Sequence, residues 1–156
     1  MDPFDHREQV LTATWTPQDG ARVTFSDLPD PWLVALGRLG RDLRVRQYGG
    51  DVERIDWVAA YDPEGGWVWL LSSVTIAGHR PGGLGVSGMG ASVDDGEEKV
   101  LMSMADLVQT EVAEVGTAWP WGHAGGFMNP RLIDDVAVWV GRDDQMLRIG
   151  DLAENE

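Results

Sequence analysis

Ile55-Asp56-Trp57-Val58-Ala59-Ala60-Tyr61-Asp62-Pro63-Glu64-Gly65-Gly66-Trp67-Val68-Trp69-Leu70-Leu71 is the stretch that decides the fold. Ile55, Trp57, Ala59 and Tyr61 recur at every second position, the spacing that puts side chains on one face of a strand. A second extended run, Trp67 to Ile76, follows with Val74 and Ile76 near its end. Between them, Pro63 presets one φ and Gly65-Gly66 accept the positive φ values that a reversal needs. So short a connection implies antiparallel pairing.

Working outward, residues 10–15 alternate Leu11, Ala13 and Trp15 against Val10, Thr12 and Thr14, and 21–25 carry Val23 and Phe25 after a turn at Pro17 to Gly20. A hairpin is expected there. Asp30-Pro31 sets a capping carboxylate before a residue with helical φ, and Trp32, Leu33, Leu36 and Leu39 keep helical spacing. This predicts a short helix near 31–39, stopped by Gly40. Residues 43–48 read as extended, with Leu43, Val45 and Gln47 opposite Arg44, Arg46 and Tyr48. Downstream, 78–96 is a glycine-rich loop. Asp94 and Glu97 have the spacing of a capping box, and Val100, Leu101, Met104, Leu107, Val108, Val112 and Val115 form a stripe on a helix of about 95–115. Val136, Val138 and Val140 then alternate before a turn at Gly141 to Asp144 and a return through Met146 to Ile149.

The expected fold is α+β: a twisted, mainly antiparallel sheet of five to seven strands, the long helix packed on one face and the short helix near an edge. At 156 residues, the chain matches a single globular domain, 1–156, within which 118–150 is a C-terminal β-hairpin element.

A net charge of −14 disfavours direct nucleic-acid binding, because such affinity comes from Lys and Arg displacing counterions. Against that background, residues 38–54 hold Arg38, Arg41, Arg44, Arg46 and Arg54 with only Asp42, Asp51 and Glu53. Guanidinium forks suit carboxylates, so Arg44 and Arg46, on one strand face in this reading, are candidates for charge recognition. The alternative is pairing with the chain's own acids. The absence of cysteine excludes disulfides and thiolate chemistry. No apolar run approaches the roughly 20 residues of a membrane span and no leader pattern opens the chain, so a cytoplasmic location without membrane contact is expected.

Gly83-Leu84-Gly85-Val86-Ser87-Gly88 satisfies G-x-G-x-x-G, but the next helix starts late and opens on Asp94, Asp95, Glu97 and Glu98, which repel a pyrophosphate. Ser87 lacks the second glycine of a nucleophile elbow. His6, His79 and His123 are too scattered for a local metal pair, and the carboxylate doublets Asp134/Asp135 and Asp143/Asp144 point apart as adjacent residues do. No catalytic residue, metal or cofactor is called for.

Ala118-Trp119-Pro120, His123, Asn129-Pro130, the run Asp135 to Val140 and Ile149-Gly150 resemble the tail of uncharacterised small acidic proteins from actinobacteria. In that group the tail is similar to a zinc-ribbon knuckle with a cysteine near the position of Gly141. This chain has none, so the resemblance implies a packed β element and carries no activity.

These features point to a non-enzymatic acidic protein-binding module, such as an inhibitor, immunity or accessory factor, whose partner is another protein with a basic surface or a second copy in a homo-oligomer. Eight tryptophans supply candidate contacts, with Trp119, Trp121 and His123 among them. The alternative is a small-ligand-binding domain or simple enzyme, with a pocket lined by Trp57, Trp67, Trp69, His79 and Arg80 and gated by the 78–96 loop.

Overall fold

A computed structural model describes residues 8–62, 65–76 and 87–155. Two strands, β1 (Glu8–Thr16) and β2 (Gly20–Ser26), form the first hairpin, and α1 (Asp30–Asp42) follows. Then come β3 (Val52–Asp62), β4 (Trp67–Ile76), β5 (Ser87–Ser92) and α2 (Glu97–Glu114). The chain ends with β6 (Asn129–Ile133), β7 (Val136–Val140) and β8 (Met146–Arg148), and with a short 3-10 turn at Leu152–Asn155. The first five strands make one antiparallel sheet in the order β2-β1-β3-β4-β5, and the last three make a second, β6-β7-β8. The protein is therefore α+β, with its strands divided between two sheets.

Both helices pack on one face of the larger sheet, and α2 also touches β6 and β7 on its other side. That explains why α2 buries Gln109 in addition to Val100, Leu101, Met104 and Val108, a position outside the stripe. Gln109 turns its side-chain NH₂ toward the second sheet and donates to the carbonyls of Trp119, at 3.1 Å, and Met128. The core between helices and sheet holds Leu11, Ala13 and Trp15 from β1, Ile55, Trp57 and Ala59 from β3, and Val68, Leu70 and Val74 from β4.

Four local expectations are corrected. The helix near 31–39 does not stop at Gly40. Leu43 is fully buried and extends the stripe of Trp32, Leu36 and Leu39, so α1 runs to Asp42. Gly40 is a packing residue: a Cβ there would lie 3.1 Å from the Ala21 methyl carbon and 3.2 Å from the Trp15 ring, and the Trp15 indole donates to the Gly40 carbonyl at 2.8 Å. The strand expected at 43–48 is a turn, closed by the Val45 N–H on the Asp42 carbonyl, and only Tyr48 makes an antiparallel bridge, to Ala118. Arg44 and Arg46 consequently share no strand face, and Arg46 has a φ of 63°.

The Asp94/Glu97 capping box does not form. Gly96 caps α2 without a side-chain hydrogen bond, while Asp95 accepts from the Ser92 N–H at 3.3 Å. Within the segment read as a 78–96 loop, residues 87–92 are the edge strand β5; His79, Arg80, Gly83 and Gly85 lie outside the described residues, as does His6. The hairpin expected within 118–150 is present as β7 and β8, and β6 adds a third strand to it. β6 escapes sequence reading because Asn129-Pro130-Arg131-Leu132-Ile133 does not alternate apolar and polar residues, its two large apolar side chains being adjacent.

Candidate functional site

The face of the five-stranded sheet away from the helices is set by β3 and β4. Odd-numbered Ile55, Trp57 and Ala59 point into the core, so Asp56, Val58, Ala60 and Asp62 take the other face. Register places Trp67 opposite Asp62, Trp69 opposite Ala60 and Leu71 opposite Val58. Trp67 is 46% exposed, Trp69 36% and Val58 36%, whereas Trp57, opposite Ser72, is 1% exposed. The pleat thus separates Trp57 from Trp67 and Trp69. Gly90 on β5 lies opposite Trp69, and a Cβ there would come within 3.0–3.2 Å of three ring carbons, so this glycine makes the seat on which the indole rests. At the rim of the face, Arg54 pairs with Asp56 at 2.9 Å, and the Thr14 hydroxyl donates to the same carboxylate at 2.9 Å.

Around Trp121 the chain gathers a second cluster. Trp121 stacks on Tyr48 with ring centroids 4.2 Å apart and planes 15° from parallel, leaving Tyr48 58% exposed. Arg46 donates to the Trp121 carbonyl at 3.2 Å and lies 2.7 Å from His123 Nε2. A guanidinium only donates, so in this contact the imidazole nitrogen is the acceptor. Arg44 lines one cleft of about 410 Å³ with Arg46, beside Asp51 and Gln47. The structure therefore brings Arg44, Arg46, Trp121 and His123 into one region, although by a turn and not by a strand.

Trp119 belongs to the interior. Its indole donates to the carbonyls of Asp42 and Val45, each at 3.0 Å, and packs edge-on against Trp139 at 5.0 Å. Asp42 is the hub that sequence reasoning missed. Fully buried, it accepts from Trp139 Nε1 at 2.8 Å and from the N–H groups of Gly150 at 2.6 Å and Leu152 at 3.1 Å. Burial pushes its carboxyl above the usual range, and the three donors pull against that shift. Arg38, only 4% exposed, donates to the Ile149 carbonyl at 3.0 Å and pairs with Glu97 at 2.6 Å and with Glu98. Burial works to raise the Glu98 carboxyl, but Arg38, the Ala137 N–H and Arg148 outweigh it and hold that carboxyl below its ordinary value. One of the five clustered arginines is thus spent inside the fold.

Two glycine turns face each other near the C-terminal end. The first closes through the Gly122 N–H on the Gly126 carbonyl at 2.8 Å, and the second through the Gly141 N–H on the Gln145 carbonyl at 2.8 Å. A Cβ on Gly122 would lie 3.2 Å, and one on Gly141 3.3 Å, from Gln145 Oε1, so the amide of Gln145 fills the space between them. Among the described residues, no group of three or more His, Cys, Asp or Glu is placed to hold a metal ion. Nor does any described helix have the length and apolarity to cross a membrane.

Comparison with family models, with curated proteins and with solved structures gives no match.

Proposed function

We propose that this protein is a non-enzymatic binding module that holds a protein partner against the uncovered face of its larger sheet. The observation that carries this reading is the exposure of Trp67, Trp69 and Val58 on one side of β3 and β4, opposite the helices. Large aromatic side chains in this arrangement contribute most of the affinity when a partner desolvates them. The net charge of −14 selects the partner's rim: an apolar centre surrounded by Lys and Arg is attracted, and an acidic rim is repelled. An inhibitor or immunity factor against a basic protein, or an accessory subunit, fits that description. The paired turns at Gly122 and Gly141, with Gln145 between them, support reading the tail as a zinc-ribbon-like element held by an amide instead of a metal.

Affinity purification from the native host, wild type beside Trp67→Ala/Trp69→Ala, tests the reading. The expected result is a partner of high isoelectric point that is lost from the double variant and released as salt rises from about 0.1 M to about 1 M, where the Debye length falls from about 10 Å to about 3 Å. Identical recoveries from the two proteins, or retention indifferent to salt, overturn it.

A further inference from the structure

Arg131 and Arg142 are two cations that no carboxylate of the described chain neutralises. Arg22, Arg38, Arg54 and Lys99 pair with carboxylates, yet among the described residues neither Arg131 nor Arg142 forms an ion pair, in a chain of net charge −14. Both line a cleft of about 350 Å³ with Asn129, Val140 and Phe127, and among the described residues no carboxylate contributes to its wall. The acids nearest in sequence, Asp134, Asp135, Asp143 and Asp144, sit in the turns at either end of β7, the second of which also carries Arg142, and none of them lines the cleft. β6 sets Asn129 and Arg131 two residues apart, hence on one face, and register puts Arg131 and Arg148 across Val138 from opposite sides.

The guanidinium of Arg142 is positioned by glycine. A Cβ on Gly126, whose φ is 75°, would lie 3.2–3.4 Å from three guanidinium atoms, so the bare backbone at this point is the surface that Arg142 lies on. The next residue, Phe127, is 55% exposed and borders a second hollow of about 290 Å³, walled by Ala113, Ala118 and Trp119. One exposed ring thus stands between a cationic cleft and an apolar one.

We propose that these two hollows form a binding site for a carboxylate carried on an apolar stem. The carboxylate meets the guanidinium groups of Arg131 and Arg142, and the stem crosses Phe127 toward Ala113 and Trp119. A planar carboxylate suits the guanidinium fork. A phosphate dianion fits less well, since the field of the acidic chain opposes each negative charge brought up to it and a dianion meets that opposition twice over. The site lies away from the tryptophan face and stands independently of the partner reading above.

The test is titration of the full chain with octanoate, followed by calorimetry and by backbone amide NMR shifts, with octan-1-ol and inorganic phosphate as comparison probes. Saturable one-to-one octanoate binding is expected, with shifts at Phe127, Arg131, Arg142 and residues 113–119. Octan-1-ol and phosphate should each bind about tenfold or more weakly, since a hydrogen bond to a charged partner commonly has that effect. Arg131→Gln/Arg142→Gln should lose about tenfold in octanoate affinity with an unchanged melting curve, because both side chains are exposed, and Phe127→Ala should lose affinity for octanoate while leaving that for phosphate untouched. Equal affinity for octanoate and octan-1-ol, phosphate binding as tightly as octanoate, shifts centred on Trp67 and Trp69, or no saturation by about 10 mM octanoate, weaker than most specific ligand sites, each overturns the proposal.

Discussion

Replacing Asp42 is the sharpest trial of how the two sheets are joined. Its side chain takes three buried hydrogen bonds, from Trp139 Nε1, Gly150 N and Leu152 N. Asp42→Ala removes every acceptor and leaves three buried donors facing a cavity. At about 1–3 kcal/mol for each donor left unsatisfied, the loss sums to roughly 3–9 kcal/mol. A domain of this size is stable by only about 5–15 kcal/mol, so the alanine variant should be marginal or unfolded at 25 °C. Asp42→Asn is milder. Its oxygen can serve the two donors that share Oδ2 while its NH₂ confronts the Leu152 N–H, one failed contact costing about 1–3 kcal/mol. Urea unfolding, followed by tryptophan emission and far-UV circular dichroism and extrapolated to water, reads both values. There is also a sign to check. Burial raises the Asp42 carboxyl in the folded state, so its titration favours the fold at low pH, and that contribution disappears as pH rises through the raised value. Asparagine does not titrate, and its deficit against wild type should therefore narrow as pH increases. An alanine variant within about 1 kcal/mol of wild type would refute the buried hub, because even one unsatisfied donor costs that much.

Two further outcomes follow from the packing. Glu98→Gln removes a carboxylate bonded to Arg38 and to the Ala137 N–H, which should cost about 1.5–3 kcal/mol near neutrality. Because the Glu98 carboxyl is held below its ordinary value, this stabilisation is complete above the ordinary glutamate range and fades as pH falls through the lowered one; a deficit that grows on acidification would contradict the assignment. Gly90→Ala places a methyl group within 3.0–3.2 Å of the Trp69 ring and should displace that indole, seen as a shift of its N–H resonance, at about 1–3 kcal/mol of stability. Partner capture should weaken with it, and an unmoved Trp69 resonance would show that the ring does not rest on Gly90.

Much of the central sheet was legible because its strands alternate strictly. The antiparallel pairing of the two runs and the shared strand face of Ile55, Trp57 and Ala59 can be read from composition and spacing, and both are present in the fold. The 43–48 segment misleads because six alternating residues also satisfy a helix end: Leu43 lies four residues after Leu39, and burial of its side chain decides for the helical position. Asp42 carries no local signal at all. A carboxylate next to arginines reads as a solvated ion pair, and only the arrival of Trp139, Gly150 and Leu152, about a hundred residues later, makes it an interior acceptor.

By itself the chain determined its periodicities and its charge: which residues share a strand face, where two helices run, and that the net charge is strongly negative. Only the tertiary structure decided which of those faces are covered. A strand's pleat assigns side chains to sides with no knowledge of what will pack there, so nothing local says that Trp57 enters the core while Trp67 and Trp69 remain in solvent. Likewise the stripe on α2 foretells one buried side. The second was created by the later chain, which brings β6 and β7 against the helix and the carbonyls of Trp119 and Met128 onto Gln109 through contacts that the stripe does not signal.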